Sequence, residues 1–305
     1  MKIIMFSPNQ RTRWNRAHQL FRDEIGEHHE VIYIGPGFEG CKQEGPYNAE
    51  NYVKKYRPDC VMTYGPKYTF QFHNLAAVKV PKIHFAIDLF GPIPGTRFQG
   101  TIGMYKTIMA RDKYDIFFTL STRVEKYLKY LKNEKVHFLP FGFPQGIMDN
   151  YGLKRSTDVM TSMSVVDGVY PNRSKIIKAT NELKIVHHEK RVFGDTFTDA
   201  LNRCKIGVNS VPYWPSFNLK YLEVMACGAL LFTDHAPDSV RAGLKPGRHF
   251  VEYEGVDDYK ENVLYYLEND FEREKIAEAG YKETHKKHTN AKRVKEMTKV
   301  LEKWI

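Results

Sequence analysis

The sequence predicts two α/β domains in series, each built on a parallel β-sheet. Short β-rich runs alternate with helical patterns along nearly the whole chain, the order expected of βαβ units. The alternation is interrupted once, at residues 142–157, where Gly and Pro are scattered and no period holds, and then it restarts. A length of 305 residues with 42% hydrophobic residues suffices for two separate cores.

In the first half, strands are expected at 2–6, 29–35, 59–65, 82–90, 114–121 and 136–142, all rich in Val, Ile, Phe and Tyr. Residues 13–25 read as a helix with Trp14, Ala17, Leu20, Phe21 and Ile25 on one face, and further helices are expected at 48–56 and 122–132. After the linker, strands are expected at 158–166, 184–190, 205–211, 229–234 and 249–255, with helices at 172–183 and 197–204 and one within 215–226. The last fifth reads as helix, and Val294, Met297, Leu301 and Trp304 recur there as an apolar stripe. The expected domains are 1–145 and 146–285, with 286–305 as a terminal helix.

Cys41, Cys60, Cys204 and Cys227 lie far apart and form no C-x-x-C pair, so neither a zinc knuckle nor a disulfide framework is expected. The N-terminal apolar run is too short for a signal peptide and no segment approaches a membrane span, so the expected location is the cytoplasm. A formal charge of +10 implies attraction to polyanions. Adjacent histidines at 28–29 and 187–188 point apart on a strand and have no carboxylate at ligand spacing, so no metal is expected.

The stretch "PSFNLKYLEVMACGALLFTD" (215–234) runs from a helix into a strand through a small-residue joint. A helix that starts at the C-terminal edge of a parallel sheet turns the positive end of its dipole into the crevice, where a diphosphate is favoured. Lys220 can add a full charge there, and Glu223 can accept hydrogen bonds from sugar hydroxyls. A plain surface ion pair between residues three apart is the competing explanation.

"KYLEVMACGALLFTD" resembles the nucleotide-binding segment of GT-B glycosyltransferases, in particular the group-1 and spore-coat CgeB-like branch. "CKIGVNSVP" before it and "AEAGYKETHKKHT" after it also look like that family. The resemblance implies a metal-independent enzyme with two Rossmann-like domains facing across a cleft and a last helix returning to the N-terminal domain. It makes Lys220 the diphosphate contact, Glu223 the ribose contact and Gly228 the close-packing residue at the helix C-terminus. Many group-1 members have a glutamate eight positions before the first; here that position is Pro215, which leaves its role to Ser216 or the neighbouring backbone. Arg173, in the loop after the first strand of the second domain, and Arg191, beside Lys190, are further phosphate candidates.

A catalytic base is expected from the first domain. Alternation puts His84, Ala86 and Asp88 on one face of its fourth strand, with Asp88 near the C-terminal end where α/β sites gather. Asp88 can deprotonate an acceptor hydroxyl, and His84 reads as a packed core residue. Arg11, Arg13 and Arg16 surround Trp14 in the first βα loop, a combination suited to phosphate contact and stacking. The expected donor is a nucleoside diphosphate sugar, uridine-linked, and no cofactor is required. The leading acceptor is duplex DNA carrying hydroxymethylated bases, as for phage DNA glycosyltransferases, which would act in the host cytoplasm. A surface or spore polysaccharide, a nucleotide-sugar epimerase activity and a non-catalytic nucleic-acid-binding scaffold are the alternatives.

Overall fold

The computed structural model describes all residues except 11–16, 42–44, 66–70, 87–101, 123–124, 127–134, 167 and 214–215. The chain forms two compact units, one made of the described residues of 1–140 with Arg293–Ile305, the other of Phe141–Lys292.

The first unit contains β1 (Lys2–Phe6), α1 (Ala17–His28), β2 (Glu30–Ile34), β3 (Tyr47–Asn48), α2 (Ala49–Tyr56), β4 (Cys60–Tyr64), β5 (Phe72–His73), β6 (Lys82–Ala86), α3 (Ile102–Asp112), β7 (Ile116–Thr119) and β8 (Val136–Phe138). Six of the strands form one sheet in the order β2-β1-β4-β6-β7-β8, with every neighbouring pair parallel. β4, β6 and β7 are buried throughout, which explains why they read as continuous apolar runs and not as alternating ones. Phe6, Phe72, Tyr105, Ile108 and Phe117 fill the core on one face.

The second unit contains β9 (Thr157–Met160), α4 (Arg173–Asn181), β10 (His187–His188), α5 (Asp195–Arg203), β11 (Cys204–Val208), α6 (Leu219–Ala226), β12 (Leu230–Thr233), α7 (Pro237–Arg241), β13 (Val251–Glu252), α8 (Gly255–Glu268) and α9 (Asp270–Lys287). Its parallel sheet has the order β10-β9-β11-β12-β13. The chain leaves β9 toward one edge and returns to the other side at β11, so a crevice opens between the loops that follow these two strands. Gly207 on β11 fixes α6 over that crevice: a Cβ there would stand 2.6 Å from Val224 Cγ1, so only glycine admits the helix at this distance.

The stretch that the sequence presents as a linker is firmly anchored. Tyr151 N–H donates to Asn202 Oδ1 at 2.6 Å, and Arg155 donates to the carbonyls of Leu201, Cys204 and Cys227 at 2.8 to 2.9 Å. Phe143 and Thr289 form a parallel bridge, with Phe143 N–H on His288 O and Asn290 N–H on Phe143 O. This bridge lies within the second unit, which runs from Phe141 to Lys292. Helix α10 (Asn290–Leu301) therefore begins in the second unit and ends in the first. Val294, Met297 and Leu301 are buried, while Trp304, assigned to the same stripe by spacing, is 44% exposed with the Lys135 ammonium 3.9 Å over its ring.

His84 is a core residue: it is fully buried and its Nδ1 lies 2.7 Å from Thr63 Oγ1. Burial lowers its pKa to about 3, and burial followed by the nearby Arg22 guanidinium lowers that of His18 to about 4. The folded chain thus refuses protons that the unfolded chain accepts below its ordinary histidine pKa of 6.5. Native stability is full above that value and falls with acidification, by about 1.4 kcal/mol per pH unit for each histidine. Denaturant midpoints should decrease from pH 6.5 to 4.5, and His84→Gln should flatten the decrease. An unchanged slope in the variant would show that His84 takes up its proton without unfolding.

Candidate active site

Helix α6 carries the residue pair singled out in the sequence. Asn218 caps it: the Asn218 side chain accepts from Lys220 N–H at 3.1 Å, and Asn218 O accepts from Tyr221 N–H. Two of the first-turn N–H groups are therefore already bonded, and the helix offers a ligand chiefly its dipole and side chains. Tyr221, Leu222, Val224 and Met225 turn inward and are fully buried. Lys220 and Glu223 are both half-buried.

The Lys220 side chain reaches across the crevice. Its ammonium donates to Ser162 O, in the loop after β9, at 3.1 Å and lies 4.1 Å over the ring of Phe197 from α5. Burial lowers its pKa to about 8; Glu223 opposes that shift, while Arg173 and Arg191 add to it. No ion pair within 4.0 Å joins Lys220 to Glu223 among the described residues, so the surface ion-pair explanation fails. The Glu223 carboxyl is raised in pKa by burial, against the pull of Lys220. A half-buried carboxylate one turn from a cation it does not touch keeps acceptor capacity that the salt bridge would have used.

A second network fixes the loops around this pair. Asp234, just past β12, accepts from Val211 N–H at 2.6 Å, Ser210 Oγ at 2.9 Å and Asn172 Nδ2 at 3.3 Å. Asn218 Nδ2 donates to Asn209 Oδ1, Asn209 Nδ2 to Thr233 Oγ1, and Tyr253 OH to Asn209 O. The loops after β11, β12 and β13 and the starts of α4 and α6 are thereby locked together, which preorganises the site.

Comparison with known proteins gives this arrangement a family. Residues 163–299 match the glycosyl transferase-like family. The second unit is a glycosyl transferase-like domain. Over the whole chain, the fold is similar to that of sucrose-phosphate synthase from Thermosynechococcus elongatus, with a TM-score of 0.71, 12% identity and coverage of 100% of this chain and 99% of that one. Anabaena HepE in complex with UDP-glucose gives a TM-score of 0.70 with 10% identity, covering 99% of this chain and 100% of that one. The fold is GT-B. The spore protein CgeB of Bacillus subtilis is 23% identical over 206 residues, a match that spans 56% of this chain and 62% of that protein.

Within the glycosyl transferase-like domain the other sequence candidates separate. Arg173 is buried at the start of α4, where its Nε donates to Ser210 O and its Nη1 to Ser164 O and its guanidinium lies 3.3 Å from the centre of the Tyr170 ring. It braces the loops after β9 and β11. Arg191 is exposed, 5.0 Å over the Phe193 ring, and close enough to act electrostatically on Lys220. Ser216 is half-buried just before the Asn218 cap. Gly228 lies at the opposite end of α6 from the start of the helix, in the left-handed region at φ +71°, where a Cβ would stand 2.7 Å from Asn150 Nδ2. Its place is thus one of close packing and not of ligand contact. Asp88, Arg11, Arg13, Trp14, Arg16 and Pro215 lie outside the described residues.

Sequence reasoning missed Phe197, Ser162, Asn209 and Asp234. Asn218, directly before the helical pattern, was legible as a cap. Phe197 and Ser162 have no such local signal, because their proximity to Lys220 arises from the sheet order. No helix among the described residues is long and apolar enough to cross a membrane.

Proposed function

We propose that this protein transfers a sugar from a nucleoside diphosphate, uridine-linked, to an acceptor hydroxyl. The observation that carries the reading is the Glu223 carboxylate, raised in pKa and hydrogen-bonded to no other side chain among the described residues, one turn from the Lys220 ammonium at the start of α6. In this reading Lys220 and the α6 dipole stabilise the charge that develops on the departing diphosphate, and Glu223 holds the ribose hydroxyls. Transfer then needs no metal, and activity should persist in a chelator. The HepE complex, which contains UDP-glucose, supports a uridine-linked donor by likeness of fold.

For the acceptor, the charge of +10 favours a polyanion. DNA with hydroxymethylated bases fits that charge, and a surface glycan fits the likeness to a spore protein. Asp88 is the proposed base and Arg11, Arg13, Trp14 and Arg16 the proposed acceptor contacts, in a cytoplasmic setting where Cys60, Cys204 and Cys227 stay reduced thiols. The test is incubation of the full chain with labelled UDP-sugars and either hydroxymethylcytosine DNA or spore-surface polysaccharide. Label in the DNA only, weakened by salt, supports the first acceptor, and label in the glycan only supports the second. Absence of UDP binding in titration calorimetry would remove the donor assignment.

A further inference from the structure

The Lys220 side chain is long and flexible, and an ammonium of this kind is ordinarily held by water alone. Here it is fixed from two sides, by Ser162 O at 3.1 Å and by the face of Phe197 at 4.1 Å. Phe197 is 8% exposed and belongs to the apolar cluster of Leu201, Tyr221 and Leu222, so its ring is itself held in place by the core. Lys220, Ser162 and Phe197 come from α6, the loop after β9 and α5, and they meet at the crevice between β9 and β11 where the sheet order reverses.

We propose that Phe197 is a positioning residue: its ring face, with Ser162 O, holds the Lys220 ammonium charged and aimed at the donor's diphosphate. The inference rests on the donor reading above and extends it to a residue that touches no ligand. An aromatic face attracts a cation most strongly where water is excluded, and this ammonium is partly desolvated. The groups that act on Lys220 are Glu223 on its own helix, Arg173 at the start of α4, Arg191 in the loop after β10 and Cys204 on β11. Glu223 and Cys204 favour the charged form, and the two arginines disfavour it. Burial holds Lys220 near about 8, so a ring face that favours the cation has its largest effect at mildly alkaline pH. An aliphatic residue of similar volume fills the same space and leaves this electrostatic support out.

The test is UDP titration calorimetry on the full chain at pH 6.5 and 8.5. Phe197→Leu should weaken UDP binding roughly five-fold at pH 8.5 and about two-fold at pH 6.5, whereas Phe197→Tyr should stay near wild type. In a Lys220→Met background, Phe197→Leu should cost nothing further. Equal losses in both backgrounds, or no loss in either, would overturn the inference, because Phe197 would then be only a core residue. If Phe197→Leu melts below the assay temperature, Phe197→Met provides the same comparison with a more adaptable side chain. A wild-type chain that binds no UDP overturns the donor reading, and this inference with it, and that result differs from one in which UDP binds and the cycle shows no coupling.

Discussion

Lys220→Met and Glu223→Gln should each weaken UDP binding by about 1.5–3 kcal/mol, roughly ten- to a hundred-fold, while leaving the melting temperature of the free protein nearly unchanged. Both side chains are half-buried, and Met and Gln nearly keep their volumes, so neither substitution opens a cavity. The two variants should differ in their pH dependence. Lys220 loses its charge as pH rises through about 8, so wild-type affinity should decrease on the alkaline side, and Lys220→Met should abolish that decrease. Glu223 is raised in pKa by burial, so wild-type affinity should also decrease on the acid side as the carboxylate takes up a proton, a limb that Glu223→Gln should remove. Calorimetry across this range checks both limbs. Wild-type affinity in both variants would mean that a bound nucleotide touches neither side chain.

Gly280→Ala should destabilise the protein by about 2 kcal/mol, lowering the melting temperature by several degrees. Gly280 lies within α9, where replacing glycine by alanine in an exposed position would gain about 1 kcal/mol of helix propensity. The opposing term is larger. A Cβ at this position would stand 2.4 Å from His249 O and 3.1 Å from Met225 Sδ. The sulfur belongs to a flexible side chain, but the carbonyl belongs to backbone whose neighbours are fixed: His249 N–H donates to Lys245 O at 2.9 Å, and Gly247 N–H to Phe250 O at 2.8 Å. The overlap must therefore be relieved by moving α9 away from α6, with loss of packing along the helix that carries Lys220 and Glu223. Thermal unfolding checks the sign. A melting temperature equal to or above that of wild type would show that the 245–250 segment gives way at little cost. Because α6 packs against α9, a destabilised Gly280→Ala should also bind UDP more weakly, and Gly280→Leu more weakly still.

Legibility from sequence followed the range of the interaction that fixes each feature. The paired parallel sheets were written in the alternation of β-rich and helical runs, because a strand buried on both faces needs an apolar run and its crossover needs a helical period. β1 lies on the residues that the pattern names, and β4 and β6 within them, since strand burial is set by side chains only one or two positions apart. The pair Lys220 and Glu223, too, was legible, as two charged residues three apart in an otherwise apolar helix. What that pair does was not, because an ion pair and a ligand site look identical at this spacing. The folded chain removes the ion pair, by sending the Lys220 ammonium across the crevice to Ser162 O and leaving the Glu223 carboxylate without a salt bridge among the described residues. Arg173 shows the reverse case. Its place in a loop before a helix suggested a phosphate contact, and the folded chain adds bonds that spacing did not show: two of its donors go to Ser164 O, nine positions away, and to Ser210 O, which strand order brings to it. The sequence by itself determined the α/β class, the number of domains and the helix that bears the charged pair, since these depend on local periodicity and capping. The tertiary structure alone decided the partner of the Lys220 ammonium, the ring beneath it and the loops tied to Asp234, because those contacts join residues from 23 to 62 positions apart that only the parallel sheet brings together.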